Sequence, residues 1–206
     1  MCKILILEDR RDRQISFLPN GISDMEEINA IPAVYMPLPN ESKFIIEKIN
    51  TKSFEFSSET TLIIVHHSKL SNGGITYINE FAKKNATKVV FFSGGIGQVF
   101  YNNDGFEQLF LNSTEFYSDL LVPFLKKYAN DDSETILELS NKNWKLSYLM
   151  LYRQLSQNLK ISEKDESDPY TYYNITNERL INIGKILHVE NENDVDKLFK
   201  LLIQTL

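Results

Sequence analysis

Lys3-Ile-Leu-Ile-Leu7 runs into Glu8-Asp9, Thr61-Leu-Ile-Ile-Val65 runs into His66-His67-Ser68, and Lys88-Val-Val-Phe-Phe92 runs into Ser93-Gly94-Gly95. Short, nearly continuous apolar runs of this kind read as strands buried on both faces of a parallel sheet. In such sheets the ligand crevice lies beyond the carboxyl ends of the strands. The three polar tails are therefore expected to converge. Together they hold two carboxylates, two of the chain's three histidines, a hydroxyl and a glycine turn.

Around these runs, strand and helix signals alternate. Ala33-Val-Tyr-Met36 reads as a further strand, closed by Pro37 and Pro39. Residues 10–18, about 40–50, 75–85 and 106–111 read as helices, the second with a buried stripe of Phe44, Ile45, Ile46 and Ile49. Glu115-Phe-Tyr-Ser-Asp-Leu-Leu-Val122 is expected to contain a fifth strand, ended by Pro123. The pattern predicts an α/β fold with a five-stranded parallel, doubly wound sheet over residues 1–128. From 129 to 206 it predicts an all-helical extension. There Trp144, Leu149, Leu155, Val195 and Leu198 supply core positions, and the charged, Tyr-rich stretch 162–174 reads as an exposed loop. Tyr170, Tyr172 and Tyr173 beside Pro169 are either an interaction patch or packed back on the helices.

The bulk properties narrow the function. Across 206 residues the formal net charge is −6, and neither the first 128 residues nor the remainder is basic. Nonspecific nucleic-acid binding needs a basic surface and is disfavoured. The small basic cluster of Arg10, Arg11 and Arg13 reads as a solvated helical turn that can also offset the adjacent carboxylates. The lone Cys2 cannot form an internal disulfide. No run has the length of a membrane span, and the N-terminus leads straight into a strand. The expectation is a cytoplasmic protein without membrane contacts.

Several short motifs, taken in order, resemble the receiver domain of two-component response regulators. Lys3-Ile-Leu-Ile-Leu-Glu-Asp9 is similar to the first strand and acidic pair of that family, which binds magnesium. Ser93 and Gly94 resemble the switch hydroxyl and the small residue after it. Gly74 falls where a glycine often opens the third helix. Leu121-Val122-Pro123-Phe124 resembles the end of the fifth strand, where the family has a lysine before a proline. The resemblance covers about the first 125 residues and implies a flavodoxin-like sheet. Two departures matter. The phosphoacceptor aspartate is His66 here, and the lysine is Val122. A carboxylate nucleophile and a phosphoryl-holding cation are both missing. The resemblance thus implies a pseudo-receiver, a phosphorylation-independent regulatory module that binds a protein partner, with a second copy of the chain among the candidates. The family's usual contact surface would fall at residues 104–122.

The crevice leaves alternatives open. Glu8 and Asp9 are either a relic pair or ligands for a divalent metal. His66 is a hydrogen-bonded replacement for the aspartate, a pH-sensitive contact, or, with Glu8 or Asp9, part of a mixed nitrogen and oxygen metal site, in that order of preference. His66 and His67 should point to opposite faces of the sheet. Ser93-Gly94-Gly95-Ile96-Gly97 is either a plain turn or an anion cradle. The preferred reading has no cofactor and no catalysis. The alternative is a metal- or anion-dependent hydrolase or ligand sensor for a phosphorylated or nucleotide-like molecule, with His66 and Ser93 as its reactive side chains.

Overall fold

The computed structural model describes residues 3–10, 15–103, 105–162, 179–189 and 191–203. The expectations for Cys2, Arg11, Arg13 and Pro169–Tyr173 lie outside these. The chain divides into two compact units, 1–142 and 143–206.

The first unit is α/β, built on one six-stranded sheet. Its strands are β1 (Ile4–Leu7), β2 (Val34–Tyr35), β3 (Leu62–His66), β4 (Lys88–Phe92), β5 (Phe100–Asn102) and β6 (Gln108–Leu111). Their order is β2-β1-β3-β4-β6-β5. Every pair is parallel except β5 with β6. β1, β3 and β4 are the three runs first identified, and they form adjacent central strands. Ile4, Ile63, Ile64, Val90 and Phe91 among them have no exposed surface.

Helices cover both faces. On one, Ile45, Ile46 and Ile49 of α2 (Pro39–Asn50), with Ile78 and Ala82 of α3 (Asn72–Asn85), pack on Leu5, Leu7, Ile63, Val65, Val89 and Phe91. Strand side chains alternate between faces, so Ile6, Ile64 and Phe92 belong to the other face. There Phe116 of α4 (Ser113–Phe116) stacks on Phe92 at 4.2 Å. Tyr128 of α5 (Leu121–Asn130) donates its hydroxyl to the Thr61 carbonyl. α1 (Ile22–Asn29) packs against α5. Each fully buried large apolar side chain of this kind contributes about 1.5–3 kcal/mol.

The five-strand expectation is corrected in two places. Residues 115–122 are not a strand. Asn112 caps α4 in a reciprocal capping box with Glu115, which turns the backbone helical just where the apolar run begins. Val122 and Pro123 consequently sit in the first turn of α5, where a proline ring costs no hydrogen bond. The fifth parallel strand is β6, in a stretch expected to be helical, and β5 adds an antiparallel edge strand.

The expected boundary at 128/129 also moves. Lys88 donates to the carbonyls of Asp132, Ser133 and Glu134. Thr135 and the Ile136 backbone N–H donate to Glu107. Ile136, Leu137 and Leu139 of a 3₁₀ turn are buried. These contacts tie 131–139 to the first unit.

The second unit is helical in its described residues: α6 (Trp144–Ser162), α7 (179–187) and α8 (Glu192–Ile203). Trp144, Leu149, Leu155 and Val195 are buried. Arg153 of α6 pairs with Asp196 of α8 at 2.6 Å and lies over the Phe199 ring. Among the described residues, no helix is long and apolar enough to cross a membrane.

Candidate functional site

The register of the sheet builds the site. Leu7 of β1 is opposite Val65 of β3, so the next residues, Glu8 and His66, come level at the carboxyl edge. His66 is in turn opposite Phe92 of β4. Strand periodicity places Glu8, His66 and Phe92 on the face covered by α4 and α5. His66 stacks on Phe92. His67 turns to the opposite face, edge-on to Phe91 and Phe110, and takes no part in the site.

His66 is completely buried and engaged at both ring nitrogens. Nδ1 lies 2.6 Å from Asp9 Oδ1 and 3.5 Å from Glu8 Oε1. Nε2 lies 2.9 Å from the Ser68 hydroxyl. Ser68 is held there by the 3₁₀ turn His67–Lys69. That turn is anchored by Asn50, which donates to the Lys69 carbonyl and accepts from the Ser71 N–H.

Glu8 is also completely buried. Oε2 accepts from the Tyr117 hydroxyl at 3.0 Å, and Oε1 accepts from the Arg10 N–H at 3.0 Å. Burial pushes its carboxyl up to about 7, and the neighbouring Asp9 adds to the rise, while the Tyr117 and Arg10 hydrogen bonds hold it back. For Asp9, burial acts to raise the carboxyl. The hydrogen bond and charge of His66, with a hydrogen bond from Glu8, outweigh it and hold Asp9 below its ordinary value. The two carboxyls are thus driven apart, Glu8 toward its protonated form and Asp9 toward its anion.

Ser93 follows β4 and is buried, with its hydroxyl accepting from the Gly95 N–H at 3.3 Å. Asn112 donates to the carbonyls of Gly94 and Ile96 and so pins the glycine turn. Among the described residues, positive φ at glycine occurs at Gly21 and Gly105. Gly94, Gly95 and Gly97 therefore lack the alternating left-handed backbone of an anion-binding nest, and the turn reading stands over the anion cradle.

The structure brings together Glu8, Asp9 and His66, whose ligand-capable atoms all lie within 4.8 Å of one another. Val122 and Pro123 belong to α5 instead. The residues that do follow the fifth parallel strand are Asn112-Ser113-Thr114, so no lysine stands at that strand end either. Within the expected contact segment 104–122, Gln108, Leu109, Leu111, Ser113, Phe116, Tyr117, Leu121 and Val122 are buried, while Gly105, Thr114, Glu115 and Asp119 are exposed. Exposed apolar surface nearby lies at Val99 and Phe100, beside and on edge strand β5.

Sequence reasoning missed Tyr117 and Asn112, and it gave Ser68, which stands in the second polar tail, no role of its own. The Asn112-Ser-Thr-Glu115 capping signature was readable, and it would have moved Tyr117 from a strand to a helix end. Ser68 carried no comparable signal.

The fold and site define an α/β protein with a buried histidine and carboxylate cluster at the carboxyl edge of a mostly parallel sheet. No family model matches the chain, and neither a curated protein nor a solved structure does so.

Proposed function

We propose that the chain is a phosphorylation-independent regulatory module, a pseudo-receiver whose role is to bind a protein partner in the cytoplasm. The observation that carries this reading is His66. It occupies the end of the third strand, where a receiver holds its phosphoacceptor, and both its ring nitrogens are already engaged, by Asp9 and Ser68. An imidazole so placed is neither a free carboxylate nucleophile nor open to a phosphodonor. The strand order supports the flavodoxin-like scaffold: β2-β1-β3-β4-β6 follows the 2-1-3-4-5 order of such folds, with β5 appended. No cation follows β6 to hold phosphoryl oxygens.

The hydrolase reading draws on Glu8, whose carboxyl near 7 would suit acid–base work. A general base must reach its substrate, however, and Glu8 and His66 are both fully buried. The module reading is favoured for that reason.

In this reading the contact surface includes the exposed Val99 and Phe100 of the β5 edge. Sedimentation velocity over a concentration series, with and without a small phosphodonor and magnesium, tests it. The association state is expected to be the same in both arms. A phosphodonor-dependent change in association would overturn the reading.

A further inference from the structure

The helical unit holds a cavity of ≈ 490 Å³ between Tyr152 of α6 and the stretch from Leu180 to Val189 that ends α7. Sites for small molecules span about 300–1,000 Å³, so the space is large enough for a ligand. Nothing in the chemistry of the sheet's carboxyl edge makes use of it.

Two local features shape the cavity. Gly184 lets the Tyr152 ring lie directly on the α7 backbone. A Cβ there would stand 3.3 Å from Tyr152 Cε2 and 3.0 Å from the Val189 carbonyl oxygen. α7 then closes in a Schellman motif. The Val189 N–H donates to the Gly184 carbonyl at 2.9 Å, and the His188 N–H donates to the Lys185 carbonyl at 3.2 Å. Such a motif needs one left-handed residue, and glycine takes that conformation at least cost. Here the residue is His188, at φ 54°. A side chain stands where none would be cheapest, and it lines the cavity.

The lining divides by chemistry. Leu180, Ile181, Val189 and the Tyr152 ring are apolar, and Ile181 is exposed. Lys185 and His188, both exposed, bring the polar groups. Arg153 and Lys197 in the same unit have carboxylate partners. Lys185 has none among the described residues. The local charge is one-sided: α6 and α7 carry Lys145, Arg153, Lys160, Arg179 and Lys185 and no acid, in a chain of net charge −6, and the acids of this region stand in the connections and in α8. The cavity lies at the C-terminal end of α7, where a helix presents carbonyls rather than the N–H groups that hold phosphates. Its attraction for an anion therefore comes from side chains alone, and one carboxylate suits it better than a phosphate dianion. We propose that this cavity binds a small amphipathic carboxylate, its aliphatic chain along Leu180, Ile181 and Val189 and its carboxylate on Lys185 and His188. The inference concerns the helical unit and does not rest on the regulatory reading of the sheet.

Isothermal titration of the full chain with decanoate, below its micellar concentration, tests this, with decyltrimethylammonium in a parallel arm. Decanoate is expected to bind saturably at one equivalent, and the cationic amphiphile is expected not to. Lys185→Gln should weaken decanoate by about 5- to 10-fold, and Ile181→Ser by about 3- to 10-fold. Both positions are exposed, so neither change removes a core contact. His188→Gly should weaken binding by about 3-fold while the urea midpoint stays at or above that of the parent, because glycine takes the left-handed turn more easily. That pairing separates a ligand contact from a structural one. Lys43→Gln, in the first unit, should bind as the parent does. Absence of saturable decanoate binding, equal binding of decyltrimethylammonium, or an affinity unchanged in Lys185→Gln, Ile181→Ser or His188→Gly would each overturn the proposal.

Discussion

At the scale of single residues, Glu8 carries the sharpest consequence. Its carboxyl lies at about 7 in the folded chain, against an ordinary value of 4.5. The native state therefore binds a proton more tightly than the unfolded state between these values. By linkage, the stability Glu8 contributes is complete below the unfolded value and is lost as pH rises through the folded one. Asp9 acts oppositely. Its contribution is present above its ordinary value of 3.8 and is lost as pH falls through its lowered one. The protein should therefore lose up to about 3 kcal/mol between roughly pH 5 and pH 8. Urea midpoints measured across that range check this, and Glu8→Gln should flatten the slope. A parent protein whose stability rises over the same range would contradict the assignment. The Glu8 and His66 pairing was legible in the sequence, because period-two alternation and three aligned strand ends suffice to bring them level. The donor from Tyr117 was not. It depends on how a distant helix lands on the sheet, which no local pattern specifies.

At the scale of elements, the loop after β3 shows how the fold aims the site. Asn50, at the end of α2, holds the backbone of Lys69 and Ser71 and thereby fixes the turn that presents Ser68 to His66. Gly74 makes this possible. A Cβ there would lie 2.4 Å from Asn50 Oδ1 and 3.4 Å from its Cα. Gly74→Ala should force Asn50 off its two backbone partners and cost about 1–3 kcal/mol, read as a lower denaturation midpoint. An unchanged midpoint would mean that Asn50 is not the anchor. The same scale explains where the sequence misled. Gln108-Leu-Phe-Leu111 is too short an apolar run for its period to distinguish strand from helix. Residues 115–122 look strand-like in composition, but the capping box at Asn112 overrides that composition. Long central strands announce themselves through continuous burial, whereas edges and connections are decided by caps and tertiary packing.

At the scale of the whole molecule, the chain pairs an α/β unit with a helical unit, the first extending to 142. The α/β expectation for the first unit and the helical reading of the described second unit followed from the switch in hydrophobic period after Tyr128. The boundary did not, because residues 131–139 are tied down by polar contacts from Lys88 and Glu107 that leave no periodic trace. We propose that this sheet has the frame of a receiver domain and that its carboxyl edge does not support phosphoryl transfer. Intact-mass spectrometry of the full chain after incubation with a small phosphodonor and magnesium is the decisive measurement. The unmodified mass is expected throughout. A stable phosphoprotein, with the group mapped to Asp9 or His66, would contradict it.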